Sequence, residues 1–309
     1  MALPVASVLI PTYNRHDDLL HLLHDLAAQS SDSFEVVIVD DASMPPIAEA
    51  LAPNDFPYPI KLSRNEGNQG IGYSRNRCID ASTGAFILWI DSDSRVPSPD
   101  WIAWHVRQHQ EGEPRLVHSE VQGATPNYAG RTFFYSNWFG SCGKVAKRAM
   151  DHHLPTNNTS LPRTLLEQVG RFDETLRAAE DVDWSLRALA QGIPLWYQPG
   201  MPVLHRDRDT LRAVWDSYRN IGKYGQRVRM KQASSPHGWL YPRSPALASL
   251  YVLPLSLLMT LYILWTWLPV DPRALLYAPG LYLANFAYAL GVVDGIKKSF
   301  ASSCNAPIR

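Results

Sequence analysis

Two aspartates separated by one serine end an apolar run of the sequence. Residues 86 to 97 read FILWIDSDSRVP, so Asp91 and Asp93 come directly after five apolar residues. Carboxylates at this spacing can hold a hard divalent cation, because Mg²⁺ takes one or two protein carboxylates together with phosphate oxygens and water. Such a cation would neutralise charge that builds on a phosphate leaving group. Aspartate and serine also cap helices and form turns, so the pair alone is a weak indication.

Other polar residues follow short apolar runs in the same way. VASVLI precedes residues 12–15, and FEVVIV precedes Asp40 and Asp41. Helical patterns alternate with these runs, which predicts an α/β fold with a mostly parallel sheet flanked by helices. Ligands of such sheets bind beyond the carboxyl ends of the strands. We therefore expect these polar residues together on one rim, the edge of the sheet where the strands end. A turn could account for any one of the three groups, but it does not easily account for all of them.

The second half of the sequence is less regular. Helices are predicted in RTLLEQVGRFDE, in AAEDVDWSLRALAQG and over residues 210–231, whereas residues 122–160 are rich in loops and aromatic side chains. Glu180 and Asp183 lie three residues apart and share a helix face, so we expect both to be exposed to solvent. Trp184, on the same helix, is expected to pack in the core.

Composition and charge restrict the classes of function. Lysine plus arginine equals aspartate plus glutamate at 29 each, which gives no overall attraction to nucleic acid. The cysteines, Cys78, Cys142 and Cys304, form no CxxC pattern, so neither a disulfide framework nor a zinc site is expected and a reducing cytosol fits best. The first residues, MALPVASVLIPTYNR, give no indication of a secretory signal.

Two long uncharged runs lie near the carboxyl terminus, at residues 244–270 and 274–293. A bilayer span needs about 20 mainly apolar residues, so membrane contact is favoured over a pair of buried helices. Pro279, Gly280 and Asn285 interrupt the second run, which leaves an interfacial hairpin open.

Basic residues flank the two runs. Residues 206–231 hold eight lysines or arginines against three aspartates, and Lys297 and Lys298 follow the second run. If the runs form a two-span hairpin, both termini are expected in the cytosol. We therefore predict a catalytic domain over residues 1–231, on the cytoplasmic face, and a membrane-associated region over residues 232–309.

Five motifs occur in a fixed order: SVLIPTYNR, VVIVDDAS, NQGIGYSRNRCIDASTGAFILWIDSDS, VGRFDE and AAEDVDWSLR. In this order and spacing they resemble the family 2 glycosyltransferases, over roughly residues 5 to 205. The resemblance implies the Rossmann-like fold of the nucleotide-diphospho-sugar transferases (GT-A). It also implies transfer of a sugar with inversion at the anomeric carbon.

The resemblance further implies which residues bind the donor. Thr12 and Tyr13 would lie against the nucleoside, and Asp41 would bind the nucleotide base. Arg75 would lie near the diphosphate, and Asp91 would serve the ribose and the metal.

The metal and catalytic residues are implied in the same way. Asp93 would be the closer ligand of a divalent cation, Mg²⁺ or Mn²⁺, with Asp91 as a second ligand. His205 would be a further contact to the metal or the diphosphate. Asp181, in the Glu-Asp pair of the last motif, would be the catalytic base.

Two departures from the family pattern refine the expected function. Ser94 stands where the common DSDD has a further acid, although both principal carboxylates remain. WDSYRNIG, at residues 215–222, does not match the QxxRW motif of processive members.

We therefore expect transfer of a single sugar. The donor would be a nucleotide-diphospho-sugar, preferably of UDP. The acceptor would be a hydroxyl of a lipid-linked or cell-surface glycan at the membrane, and no nucleic acid would be involved. The alternatives are a nucleotidyltransferase and a catalytically inactive glycan- or lipid-binding module of the same fold.

Overall fold

The protein is described by a computed structural model that covers residues 3–51, 55–110, 112–139, 146–232, 242 and 244–304, with side chains as far as Lys297. It forms two compact units, Met1–Gln122 with Ser141–His205 and Gly123–Gly140 with Arg206–Arg309. The functional division at residues 231 and 232 stays a prediction. Cys78 is buried with a free thiol, whereas Cys142 and the side chains of Lys298 and Cys304 lie outside the described residues.

Eleven strands are described. In chain order they are β1 (Ala6–Thr12), β2 (Phe34–Asp40), β3 (Ile60–Arg64), β4 (Phe86–Trp89), β5 (Ser94–Arg95), β6 (Leu116–His118), β7 (Val121–Gly123), β8 (Arg148–Met150), β9 (Thr159–Pro162), β10 (Leu195–Tyr197) and β11 (Val203–His205). Eight form one sheet in the order β3-β2-β1-β4-β9-β6-β10-β8, and β5, β11 and β7 form a smaller one.

Helices surround these strands in the first unit and make up most of the second. The helices of the first unit are α1 (His16–Ala27), α2 (Ile71–Ala81), α3 (Trp101–Arg107), α5 (Arg163–Val169) and α6 (Glu180–Ala190). Those of the second unit are α4 (Tyr128–Asn137), α7 (Leu211–Lys231), α8 (Pro245–Trp267) and α9 (Ala278–Cys304). Two short 3-10 helices, Ile47–Glu49 and Pro272–Tyr277, complete the described elements.

The large sheet confirms the α/β prediction. Strands β1 to β4 pair in parallel, whereas β9 runs antiparallel to both β4 and β6. Every residue of β1 and β2 is buried, as expected for central strands that are covered by helices on both faces. Trp184 packs edge-on against Trp89 with the ring centroids 5.4 Å apart, which confirms its predicted place in the core.

The second unit is helical. A buried cluster joins α4, α7, α8 and α9 through residues such as Phe133, Val214, Val252 and Val292. Two of its apolar segments, Pro245–Trp267 and Pro272–Lys297, are long and apolar enough to cross a membrane. The loop-rich reading of residues 122–160 is wrong in part, because α4 lies within this stretch. Asn127 caps α4 by accepting a hydrogen bond from the Gly130 N–H at 2.8 Å.

Candidate active site

Three potential metal ligands meet beyond the carboxyl end of β4. Asp91 and Asp93 follow this strand, and the pairing of β11 with β5 sets His205 opposite Ser94. Ligand atoms of Asp91, Asp93 and His205 all lie within 4.8 Å of one another. The Nε2 atom of His205 is 3.4 Å from Oδ1 of Asp93. The three residues implied as metal contacts by the sequence are therefore close together.

The chemistry of this cluster suits a divalent cation. Carboxylate oxygens suit Mg²⁺ and Mn²⁺, and an imidazole nitrogen is a common ligand of transition metals. Two arginines neutralise part of the negative charge: Arg15 Nη2 lies 3.4 Å from Asp93 Oδ2, and Arg75 Nη2 lies 3.4 Å from Asp91 Oδ1. Burial raises the pKa of Asp91, while Arg75 lowers it and Asp93 raises it further. A cation between these carboxylates would favour their ionised forms.

Asn157 fixes the turn that carries the two aspartates. Because β9 runs antiparallel to β4 with Thr159 opposite Trp89, Asn157 comes level with Asp91. Its amide oxygen accepts hydrogen bonds from the Asp91 N–H at 3.2 Å and from the Ser94 hydroxyl at 3.1 Å. The residue is 1% exposed. One buried side chain therefore holds both ends of the Asp91–Ser94 turn.

Arg75 connects the metal cluster to α6. This α2 residue is 5% exposed, and its guanidinium donates a short hydrogen bond to Glu180 as well as contacting Asp91. Burial alone would lower the pKa of Arg75, but the negative charges of Glu180, Asp91 and Asp181 raise it above its ordinary value. Its observed partners are acids, and its contact with a diphosphate stays a prediction.

The three acids at the start of α6 have different surroundings. Glu180 is buried against Arg75, and Asp183 is fully buried with Arg187 Nε at 2.9 Å. The expectation that Glu180 and Asp183 are exposed to solvent is wrong, because each pairs with an arginine instead. Among the described residues, Asp181 is the acid of this group without an arginine in ion-pair contact.

Asp181 retains a carboxylate that can face a substrate. Its Oδ1 accepts a hydrogen bond from the Val182 N–H at 2.8 Å, and the N-terminus of a helix favours a negative charge. Burial raises the pKa of Asp181, whereas the positive charge of Arg75 lowers it. A carboxylate with a raised pKa is a stronger base than an ordinary aspartate.

Asp41 organises the loop that precedes α2. Its carboxylate accepts hydrogen bonds from the Asn65 side chain at 2.7 Å, from the Gln69 N–H at 2.8 Å and from the Gly70 N–H at 2.9 Å. Gly70 has φ 97°, a conformation that glycine adopts without steric cost. The observed partners of Asp41 all belong to the protein, so its contact with a nucleotide base stays a prediction.

Thr12 and Tyr13 lie at the end of β1, beside the strand that leads to Asp41. Thr12 pairs in register with Asp40, is 3% exposed and has a hydroxyl without a hydrogen-bond partner among the described residues. Tyr13 is 49% exposed. The two neighbours therefore offer a buried hydroxyl and an exposed ring, and their contact with a nucleoside stays a prediction.

Backbone strain is concentrated around these residues. In the described part of the chain, the non-glycine residues with positive φ are Asn14, Ala42, Asn158 and Ala179, at 53°, 67°, 59° and 61°. Each directly follows or precedes a residue of the site: Tyr13, Asp41, Asn157 or Glu180. Left-handed backbone is costly at alanine and less so at asparagine, and such residues cluster at functional sites, which supports the location of this one.

Arg15 was expected at the rim only as one of residues 12–15, and neither Asn157 nor Glu180 was expected in the site. Arg15 belongs to the polar group after β1, and its position there was a usable signal. Asn157 and Glu180 had no local signal, because their partners Asp91 and Arg75 are 66 and 105 residues away along the chain. Such pairings depend on the tertiary arrangement: Asn157 reaches Asp91 through the pairing of β9 with β4, and Glu180 reaches Arg75 through the packing of α6 near α2.

Comparison with known sequences identifies the family. The family model described as glycosyl transferase family 2 matches residues 7–159, and that of glycosyl transferase family group 2 matches residues 86–291. Glycosyltransferase AglE of Haloferax volcanii is 26% identical over 226 residues, which are 72% of this chain and 73% of that protein. An uncharacterized glycosyltransferase of Haemophilus influenzae is 38% identical over 87 residues, 28% of this chain and 29% of that protein.

Solved structures share the fold of this chain. Mannosyltransferase PcManGT from Pyrobaculum calidifontis, in complex with GDP-Man and Mn²⁺, has a TM-score of 0.61 at 19% identity and is matched over 100% of this chain and 89% of its own. Residues 1–349 of TarS from S. aureus match with a TM-score of 0.55 at 17% identity, and the match covers 96% of this chain and 91% of the TarS chain. At these identities the likeness shows the GT-A fold, and the family matches show the enzyme class. The chain belongs to the family 2 glycosyltransferases.

Proposed function

We propose that this enzyme transfers one sugar, with inversion, from a nucleotide-diphospho-sugar to a hydroxyl of a lipid-linked or cell-surface glycan acceptor. The observation that carries the proposal is the arrangement of Asp181 beside the cluster of Asp91, Asp93 and His205, with Arg75 between them. It supplies a base and a site for a cation in one unit of the protein. These are the two aids that a single inverting displacement requires.

In the proposed reaction Asp181 acts on the acceptor hydroxyl. The carboxylate takes the hydroxyl proton while the acceptor oxygen bonds to the anomeric carbon, and the bond from that carbon to the diphosphate oxygen breaks. Asp181 suits this role because Glu180 and Asp183 are each held by an arginine. The one displacement needs no covalent intermediate, and we propose no nucleophile on the protein.

Asp93, Asp91 and His205 would hold Mg²⁺ or Mn²⁺. A cation there would supply positive charge to the leaving diphosphate. The presence of Mn²⁺ and GDP-Man in the PcManGT complex supports a metal-assisted donor site in this fold.

A UDP-sugar is the donor we propose. TarS residues 1–349 have been solved with UDP-GlcNAc, at a TM-score of 0.54 to this chain, whereas PcManGT was solved with a GDP-sugar. Thr12, Tyr13 and Asp41 would bind the nucleoside, and Arg75 the diphosphate. The membrane is the proposed location, and the two apolar segments of the second unit support membrane association. We further propose that the catalytic domain lies on the cytoplasmic face.

A thermal-shift screen of nucleotide sugars with and without Mn²⁺ tests the proposal. A ligand that binds the native state raises its stability, by about 2.7 kcal/mol at a concentration one hundred times its Kd. We expect the largest shift from a UDP-sugar with Mn²⁺. A larger shift from a GDP-sugar would move the proposal to that donor, and no shift from any nucleotide sugar would contradict it.

A further inference from the structure

Helix α8 exposes many of its apolar side chains and buries two of its polar ones, Ser256 and Thr260, among apolar neighbours. Large side chains that are more than half exposed recur along one side of the helix, at Leu250, Leu257, Leu261 and Trp265. We call this side the outer face of α8. A helix of a water-soluble protein normally shows the reverse, with its apolar side covered. The outer face therefore suits an apolar medium.

The inner side of α8 carries the polar groups. Asn285 Nδ2 of α9 donates a hydrogen bond to Thr260 Oγ1 at 3.0 Å. Thr260 Oγ1 donates to the Ser256 carbonyl at 2.7 Å, and Ser256 and Asn285 are fully buried. Hydrogen bonds of this kind join apolar helices that contact lipid on their other side.

Helix α9 is enclosed by protein. Every residue from Gly280 to Ile296 is buried or half-buried. On the side of α7 the two backbones touch, because a Cβ atom at Gly222 would collide with the Tyr288 carbonyl and one at Gly291 with the Arg219 carbonyl. Helix α9 therefore cannot separate from α7 without losing its closest packing.

Helix α7 would carry charges into the membrane if α9 crossed it. The sequence of α7 holds six lysines or arginines and one aspartate. Arg219 Nε lies 2.8 Å from Asp294 Oδ2 of α9. The backbone of Lys223, one turn further along α7, lies beside Gly291 and Gly295 of α9. Charged groups in the hydrocarbon layer are costly, so the packing of α7 on α9 disfavours a hairpin that spans the bilayer.

We propose that the second unit binds one leaflet of an anionic bilayer through the outer face of α8, and that neither α8 nor α9 crosses it. The inference deepens the membrane association proposed above and depends on it. An apolar helical face that binds in the plane of a membrane interface lies about 5–10 Å into the boundary between headgroups and acyl chains. The exposed Trp265 suits that depth, because tryptophan favours the membrane interface. Arg212 of α7 has a largely exposed side chain whose Nε lies 3.7 Å from Asp216 Oδ2, and an exposed cation can bind anionic headgroups.

Spin labels on the outer face test this arrangement. The full-length protein, with Cys142→Ser and Cys304→Ser, receives a label at Leu250→Cys, Leu257→Cys or Trp265→Cys. It is then bound to vesicles of phosphatidylethanolamine and phosphatidylglycerol. These side chains are exposed, so the substitutions remove little packing. Collision rates with oxygen and with a water-soluble nickel complex give the depth of each label. A label at the exposed Glu113, in the first unit, is the control for full access to water.

One leaflet predicts similar depths for the three labels, at about 5–10 Å. A spanning helix would place position 257 about 10 Å deeper than position 250, because an α-helix rises about 1.5 Å per residue. That result would overturn the one-leaflet arrangement and leave the membrane association intact. Labels shielded from both oxygen and nickel would mean that protein covers the face, which also overturns it. Protein that stays in the supernatant would overturn the membrane association as well. Donor binding, measured in detergent on the same samples, reports on the transferase proposal separately.

Discussion

Arg75 of α2 and Glu180 of α6 form a buried ion pair although 105 residues separate them along the chain. The side chains of both residues are 6% exposed. The pair holds the start of α6, and with it Asp181, against the residue that also contacts Asp91. A single buried arginine thus ties the proposed base to the proposed metal site.

Loss of one member of this pair should destabilise the protein strongly. Glu180→Ala leaves the buried guanidinium with Asp91, at 3.4 Å, as its ion-pair partner among the described residues, and breaking a buried pair costs about 3–5 kcal/mol. Arg75→Met combined with Glu180→Ala should cost less than the two single losses added together. Chemical unfolding of the three variants measures this coupling. The exposed pair of Arg171 and Asp80 is the control, and Asp80→Asn should cost at most about 1 kcal/mol. Additive losses at Arg75 and Glu180 would refute the coupling.

Asn157→Ala should weaken the metal site without removing a ligand. It leaves the Asp91 N–H and the Ser94 hydroxyl without their acceptor, which costs about 1–3 kcal/mol for a buried group. We expect Mn²⁺ affinity to fall by about 10–100-fold, the usual effect of losing a group that orients a metal ligand. A titration of donor binding against Mn²⁺ measures the change. If Asn157→Ala lowers the free energy of unfolding but leaves the Mn²⁺ affinity unchanged, Asn157 supports only the fold.

Asp181→Asn should retain donor binding and lose turnover. The amide cannot accept the acceptor's proton, and a general base contributes about 10²–10⁴-fold to the rate. Calorimetry of donor binding and release of the nucleoside diphosphate are measured on the same preparation. Asp80→Asn, the same chemical change on the surface, should leave both unchanged. Near-normal turnover in Asp181→Asn would exclude this residue as the base.

The pH dependence of turnover should reflect the raised pKa of Asp181. The ionised form is the base, so activity falls as the pH drops through the folded-state pKa, which burial moves above the ordinary value of about 3.9. We expect kcat/KM to decline on the acid side at a higher pH than that value. The residual activity of Asp181→Asn should lose the part of this decline that Asp181 causes, and a decline that remains reflects other acids with a raised pKa, such as Asp91. A wild-type rate that stays constant down to about pH 4 would contradict the assignment.

Local sequence patterns predicted β1, β2, β4 and the polar rim because these depend on neighbouring residues, whereas β8 and the start of β9 lie in the stretch interpreted as rich in loops. The apolar run before Asp91 identified β4, and parallel strands bring their carboxyl ends to one edge. The burial of Glu180 and Asp183 could not be predicted this way, because charged residues on a helix are normally exposed and their arginine partners are fixed by tertiary packing. Helix α4 was missed because its aromatic residues lie in a stretch that also contains turn-forming Gly130 and Asn137.

The most direct test of the account is calorimetric titration of nucleotide sugars into the wild-type protein with Mn²⁺, with EDTA, and into Asp93→Ala with Mn²⁺. Asp93 contributes one carboxylate to a cluster whose ligand atoms lie within 4.8 Å of one another. The account predicts tight binding of one donor to the wild type with Mn²⁺. We predict binding that is weaker by about 10-fold or more, which corresponds to about 1.4 kcal/mol, both in EDTA and in Asp93→Ala, because each removes contacts between the metal and the site. Equal affinity in all three titrations would contradict the metal-dependent donor site.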